Sequence, residues 1–143
     1  MKRHNARIIA VMALYNIDIN NFEVENGMEC YENIKNLETE YEFPVEIDYN
    51  YSEKVVKGIL TNLSALDELI SNSLVKYTID RLSYVDRAII RLATYEMAFG
   101  KIAKEVAIDE ALQITREYSN LDDSSQVKFN NKVLDNIAKR IYE

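Results

Sequence analysis

Few residues of this 143-residue chain have the side chains that chemistry at a metal or phosphate site needs. His4 is the only histidine and Cys30 the only cysteine, so a zinc site would lack its usual nitrogen and sulfur ligands. One histidine also rules out the paired Glu-x-x-His clusters of a di-iron bundle. The sequence contains no Gly-rich phosphate loop and no metalloprotease motif, and we therefore expect no metal and no cofactor.

Two pairs of carboxylates are the remaining candidates for acid–base chemistry. Asp109 and Glu110 are adjacent on a predicted helix, so their side chains point in different directions. Asp122 and Asp123 lie in a segment where helix caps are expected. No third group is available to orient a nucleophile such as Cys30. The sequence therefore favours a binding protein over an enzyme.

The charge of the chain is unevenly distributed. The net charge is −7, yet residues 1–17 contain Lys2, Arg3 and Arg7 and no acid. Residues 18–53 carry a net charge of −10, and the remaining residues are balanced. Cations in the first turns of a helix oppose the helix dipole at a cost of a few tenths of a kcal/mol. A bound polyanion would offset that cost, and a solvated basic end is the alternative interpretation.

Composition indicates a helical protein of one domain. The chain has three glycines and one proline, with 48% hydrophobic and 29% charged residues. A chain of this length buries roughly two-thirds of its unfolded surface. The single cysteine and the lack of a secretory signal predict a cytoplasmic protein. No apolar run approaches the roughly 20 residues that span a bilayer, so we expect no contact with a membrane.

Apolar periodicity predicts six helices that must position any binding residues. They cover residues 3–17, 28–37, 51–74, 84–99, 106–118 and 127–141. The fourth begins at Ser83, whose spacing from Asp86 suits mutual capping, and Gly100 supplies a left-handed stop. Because this helix is apolar on more than one side, we expect it to be the central helix of the core.

The segments between these helices are less clearly defined. Phe43 and Pro44 end the second helix or lie in a loop. Residues 120–125 end the fifth helix and cap the last. Asn130 and Asn131 interrupt the apolar stripe of the last helix, so they either face solvent or form hydrogen bonds. The acidic segment 18–50 is interpreted as a solvated cover with no chemistry.

Several sequence blocks resemble the NusB family of bacterial transcription antitermination factors. They cover helix one and most of residues 58–137, in the family's order and spacing. The blocks are Ala6-Arg7, Ala13-Leu14-Tyr15, Val85–Met97, Val106–Leu112 and Phe129–Asp135. The resemblance implies an all-α, NusB-like fold of two three-helix subdomains packed as one compact domain over residues 1–143.

The same resemblance implies a function in transcription. Members of the family pair with NusE, a small ribosomal protein, and bind the boxA-type RNA of rRNA operons. As part of the antitermination complex on RNA polymerase, they promote processive transcription. For this chain the resemblance implies single-stranded boxA-type RNA and NusE as partners.

The resemblance also assigns site residues. The RNA-binding positions are Arg3, Arg7, Lys128, Phe129 and Asn131. The NusE-binding positions are Tyr15, Asp80 and Asp86. Phe129 would stack on an unpaired base and the cations would contact phosphates, whereas a core aromatic is the alternative for Phe129. The two acids would suit a basic ribosomal partner.

The chain departs from the family pattern at two places. His4 and Asn5 interrupt the basic run, and Lys132 replaces a tightly packed glycine, which either adds a phosphate contact or reshapes the loop. Two other functions stay open. One is a protein-only adaptor or homodimer that uses the acidic face. The other is the accessory NusB-like domain of an rRNA cytosine methyltransferase, which would require a cofactor-binding domain.

Overall fold

The computed structural model describes residues 1–40, 45–119 and 124–142, with the side chains of all but 38–40. None of these residues lies in a β-strand, which confirms the all-α fold. The described helices are α1 (Lys2–Ile19), α2 (Val24–Glu40), α3 (Tyr49–Thr61), α4 (Leu63–Ser73), α5 (Tyr84–Ala98), α6 (Lys104–Tyr118) and α7 (Ser125–Tyr142), with a 3₁₀ turn at Ile79–Arg81. They fall into two compact units, Met1–Thr61 and Asn62–Glu143.

The first unit is built from α1, α2 and α3, which pack on one another. The predicted apolar face of α1 is buried. Helix α2 is longer than predicted because Gly27 lies inside it rather than breaking it. A Cβ atom at Gly27 would come within 2.5 Å of a Leu60 methyl group, so glycine lets α2 approach α3 closely. Tyr31, also on α2, is fully buried and forms a hydrogen bond with Ser52 of α3.

Helix α5 is the centre of the second unit. It packs against α4, α6 and α7, and 11 of its 15 residues are buried. Ser83 caps it as predicted, because the Ser83 hydroxyl accepts the Asp86 backbone N–H at 3.1 Å and donates to the Asp86 carboxylate at 2.6 Å. Burial of Leu92 to 1% exposure places the middle of this helix in the core.

The predicted helix 51–74 is divided in the structure. Helix α3 ends at Thr61 and α4 begins at Leu63, with Asn62 between them at φ −111° and ψ 21°. Asparagine favours caps over helix interiors because its side chain competes for backbone hydrogen bonds. The described part of the second unit therefore has four α-helices where three were expected, and the first unit has the expected three.

The end of α5 also differs from the prediction. Gly100 does not adopt a positive φ, and the left-handed residue is Lys101, at φ 56°. A Cβ atom on Gly100 would lie 3.0 Å from the Glu96 carbonyl oxygen. The lack of a Cβ atom on Gly100 lets its backbone lie close to the last turn of α5. The left-handed backbone conformation predicted for Gly100 occurs one residue later, at Lys101.

Three further expectations concern loops and membranes. Phe43-Pro44 and residues 120–123 lie outside the described residues. Asn130 is fully buried and hydrogen-bonded, whereas Asn131 is exposed, so each of the two interpretations applies to one of them. Within the described residues, we find no helix whose length and apolar character would let it cross a bilayer.

Candidate nucleic-acid interface

Two of the predicted RNA-binding cations meet on one aromatic ring of the first unit. The guanidinium carbons of Arg3 and Arg7 lie 4.4 Å and 5.5 Å from the centroid of the Tyr51 ring. Both positions are within the range of a cation–π interaction. Arg3 is exposed, whereas Arg7 is only 4% exposed. Arg3 is therefore the cation that this cluster presents to solvent.

The start of α1 is held by the segment that precedes α3. Asn5 donates its side-chain amide to the Glu46 carbonyl at 2.9 Å, and the Asp48 backbone N–H donates to the Lys2 carbonyl at 3.2 Å. Lys2 and Glu46 also form an ion pair of 3.6 Å between highly exposed side chains. Such an exposed pair contributes little to stability, so the hydrogen bonds position the basic end.

The predicted stacking residue, Phe129, belongs to an aromatic pair in the second unit. Its ring meets Tyr77 edge to face, with ring centroids 5.4 Å apart and an interplanar angle of 69°. Phe129 is half-buried and Tyr77 is 49% exposed. Part of the Phe129 ring is therefore accessible, which a residue wholly within the core would not allow.

The aromatic pair lines a cavity of about 250 Å³. The cavity walls are Tyr77, Arg81, Leu82, Ser83, Asp86, Gln126 and Phe129. Aromatic faces combined with a guanidinium and a carboxamide are the groups that bind an unpaired base by stacking and by hydrogen bonds to its edge.

Asp86, predicted to bind NusE, is the centre of a buried hydrogen-bond network. Its Oδ1 accepts the Ser119 hydroxyl at 2.6 Å and the Asn130 amide at 3.0 Å, while Oδ2 accepts the Ser83 hydroxyl. The Asn130 amide also donates to the Thr115 hydroxyl at 3.2 Å. Gln126 in turn donates to the Asn130 side-chain oxygen at 3.0 Å. The network joins the start of α5 to α6 and α7.

The three predicted NusE-binding residues differ in accessibility. Asp86 is only 4% exposed, so most of its carboxylate is engaged within the second unit. Asp80 is exposed in the 3₁₀ turn of the same unit, and Tyr15 is 36% exposed on α1 of the first unit. Reversing the charge at Asp86 would set a cation against three hydrogen-bond donors. An Asp86→Lys substitution would therefore disturb the start of α5 as well as any contact with a partner.

Helix α7 carries the other predicted RNA-binding residues and a local excess of positive charge. Lys128 and Asn131 are exposed on it, as is Lys132. The helix has four cations and one acid although the protein as a whole is acidic. The cations are Lys128, Lys132, Lys139 and Arg140. This helix is therefore a suitable surface for a polyanion.

Sequence reasoning missed four residues that shape these surfaces, namely Tyr51, Tyr77, Arg81 and Gln126. Tyr51 was predicted only as the first residue of the helix over residues 51–74. Tyr77 gave a usable signal, because it is an aromatic residue in a polar connection where helical periodicity does not require one. Arg81 and Gln126 gave none, since polar residues near helix ends are common.

Neither described unit presents a cluster suited to a metal. No group of three or more His, Cys, Asp or Glu side chains that could hold an ion occurs in the described part of the chain. Burial raises the pKa of the Cys30 thiol above its ordinary value of 9.0. Because the thiolate is the reactive form, this shift makes Cys30 a weaker nucleophile at neutral pH.

Comparisons with known proteins agree on one family. The NusB family model matches residues 4–139. The chain is 37% identical to the transcription antitermination protein NusB of Bacillus subtilis over 142 residues, which cover 99% of this chain and 98% of that protein. It is 41% identical to NusB of Clostridium botulinum strain Alaska E43 over 117 residues, 80% of this chain and 86% of that protein.

Solved structures give the same result. The structure of T. maritima NusB matches with a TM-score of 0.78 and 35% identity, covering 97% of this chain and 92% of that one. A crystal structure of the antitermination factors NusB and NusE in complex with dsRNA matches with a TM-score of 0.79 and 28% identity. It covers 96% of both chains.

Proposed function

This chain belongs to the NusB family, and on that premise we propose that it is a transcription antitermination factor that binds boxA-type RNA together with NusE. The observation that carries the proposal is the match over almost the full length of an antitermination protein. The similar structure of NusB and NusE with dsRNA supports NusE and an RNA as partners. The function is one of binding within the RNA polymerase antitermination complex on rRNA operons, and no catalytic step is assigned to the chain.

RNA binding is divided between two surfaces, each within its own unit. In the first unit, exposed Arg3 contacts phosphates, and the little-exposed Arg7 holds the Tyr51 ring on which Arg3 lies. In the second unit, Phe129 stacks on a base while Lys128 and Asn131 bind the adjoining backbone. The RNA is single-stranded at Phe129, because only an unpaired base can offer its face to the ring.

NusE binding uses the exposed Asp80 and Tyr15, with Asp86 as a positioning residue. Two acids suit a basic partner, and a charge at the rim of an interface mainly steers association. The buried Asp86 acts through the hydrogen bonds that fix the start of α5. Residues 1–143 act as one RNA- and protein-binding domain, and we place it in the cytoplasm, where bacterial transcripts are made.

An in vitro transcription assay tests this function. RNA polymerase transcribes a template with a terminator downstream of a boxA sequence, with NusE and the other antitermination factors present. Adding this protein should increase read-through of the terminator, and a template with a scrambled boxA should show no increase. Equal read-through with and without the protein would contradict the proposal. An increase that ignores the boxA sequence would contradict RNA recognition.

A further inference from the structure

A second groove lies in the second unit, where the carboxyl ends of α4 and α7 meet. Its volume is about 330 Å³. The lining residues are Asn72, Ser73, Val75, Asn136, Lys139 and Arg140. Asn136 donates to the Ser73 carbonyl at 3.5 Å and so ties α7 to the end of α4. Val75 is 68% exposed, and both cations are exposed. The groove thus combines two cations, two carboxamides and one open apolar side chain.

This groove lies on the same side of α7 as Phe129. Asn136 follows Phe129 by seven residues and Arg140 follows it by eleven, which are close to two and three whole helical turns. The corresponding distances along the helix are about 10 Å and about 16 Å. The connection after α4 reaches both places, because Val75 lines the groove and Tyr77 lines the Phe129 cavity. The two cavities are therefore neighbours along one helix.

The charge of this surface indicates the class of ligand. The single acid of α7, Asp135, lies about 100° around the helix from Asn136. Lys139 and Arg140 also complement the negative end of the helix dipole. That structural role explains two cations in the last turn, but it requires neither a groove nor the carboxamides beside them. A basic protein such as NusE would be repelled here, whereas a polyanion would be attracted.

We propose that this groove is a second RNA site, and that a single strand bound at Phe129 continues along α7 to its carboxyl end. Lys139 and Arg140 contact backbone phosphates, and the Asn72 and Asn136 carboxamides bind sugar or base edges. Val75 offers an apolar contact to a sugar or base. This inference rests on the proposed function, because it extends the path of the same strand.

The test compares two strands and two pairs of substitutions in the presence of NusE. The strands are a boxA-type RNA of about 8 nucleotides and the same RNA extended by uridines at both ends to about 16. The test variant is Lys139→Gln with Arg140→Gln. The control is Lys104→Gln with Arg116→Gln, which removes one exposed lysine and one exposed arginine from α6 of the same unit.

For the long strand, the test variant should lose affinity, and its plot of log affinity against log salt should flatten by about 1.4, the value for two lost phosphate contacts. For the short strand, the affinity and salt slope of the test variant should equal those of the wild type. The control variant should match the wild type for both strands. As a second measurement, the backbone amide resonances of Lys139 and Arg140 should shift on addition of the long strand only. Circular dichroism confirms that the variants are folded.

Three results would overturn the inference. In the first, the short strand binds, the long strand binds no more tightly than the short one, and the test variant has wild-type affinity for both. The groove is then not an RNA site, and the proposed function stands. If neither strand binds with NusE, the proposed function and the inference both fail. If the test variant instead weakens NusE binding without RNA, the groove belongs to a protein interface.

Discussion

The Asn130 side-chain amide donates to Oδ1 of Asp86 at 3.0 Å, and the two residues are 0% and 4% exposed. They are 44 residues apart in sequence, and their hydrogen bond joins α7 to the first turn of α5. Asn130 directly follows Phe129, so the bond also fixes the turn of α7 that carries the ring proposed to stack on a base. The residue assigned to NusE therefore positions the residue assigned to RNA.

Asn130→Ala should lower the free energy of unfolding by about 1–3 kcal/mol, because it leaves a buried carboxylate without one of its donors. Asn131→Ala is the matched control, since Asn131 is the next residue and is exposed. Its effect should stay within about 0.5 kcal/mol. Urea denaturation of both variants measures the difference. Equal stabilities would show that the hydrogen bond to Asp86 contributes nothing to the fold.

Phe129→Ala should weaken binding of boxA-type RNA by about 1–3 kcal/mol, the usual effect of losing one stacked base. The salt dependence should not change, because no phosphate contact is removed. Tyr118→Ala is the control, since Tyr118 is an exposed aromatic residue on α6 of the same unit. Titrations at several salt concentrations give both quantities. If Phe129→Ala simply unfolds the protein, or binds RNA like the control, Phe129 is a core residue and not a stacking one.

Arg3→Gln should flatten the salt dependence of RNA binding by about 0.7, the value for one phosphate contact on a single strand. The sequence alone led us to expect the same of Arg7. Because Arg7 is only 4% exposed, Arg7→Gln should instead lower the melting temperature. Binding titrations and thermal unfolding of both variants separate the two roles. If Arg7→Gln flattens the salt slope and leaves the melting temperature unchanged, Arg7 contacts a phosphate directly.

The Cys30 thiol should react slowly with iodoacetamide at pH 8. Burial raises the pKa of the thiol, so the reactive thiolate is scarcer than in an exposed cysteine. The rate should rise as the pH is raised further, because more of the thiol loses its proton. Mass spectrometry of the alkylated protein follows the reaction, with free cysteine as the reference. A rate at pH 8 equal to that of free cysteine would show that the thiol is not shielded.

Local signals in the sequence predicted much of the helical structure. The capping pair Ser83 and Asp86 located the start of α5, and the apolar stripe located α1. The division at Asn62 was missed because the apolar spacing continues through it. The second helix was predicted to begin only after Gly27, since the close packing of Gly27 against Leu60 depends on a helix more than thirty residues away.

Less of the candidate site than of the fold could be predicted from the sequence. Phe129 was found only through the family resemblance, whereas Arg3 also belongs to the basic amino end that the charge distribution marked. The hydrogen bonds of Asn130 to Asp86 and Thr115 join three helices, and their only trace in the last helix was a polar residue that interrupts an apolar stripe. Long-range hydrogen bonds of this kind leave no periodic signal, so the burial of Asp86 and of Arg7 emerged only from the structure.

The affinity of the protein for boxA-type RNA with and without NusE tests the central claim most directly. Alone, the protein should bind weakly, with log affinity falling against log salt at a slope of roughly −2 to −3.5 for three to five phosphates. With NusE, affinity should rise and the slope should steepen, because the partner adds its own cations. With a scrambled strand, NusE should neither raise the affinity nor steepen the slope. If the NusE mixture binds boxA-type and scrambled RNA equally, the account of this protein as an RNA-binding antitermination factor is contradicted.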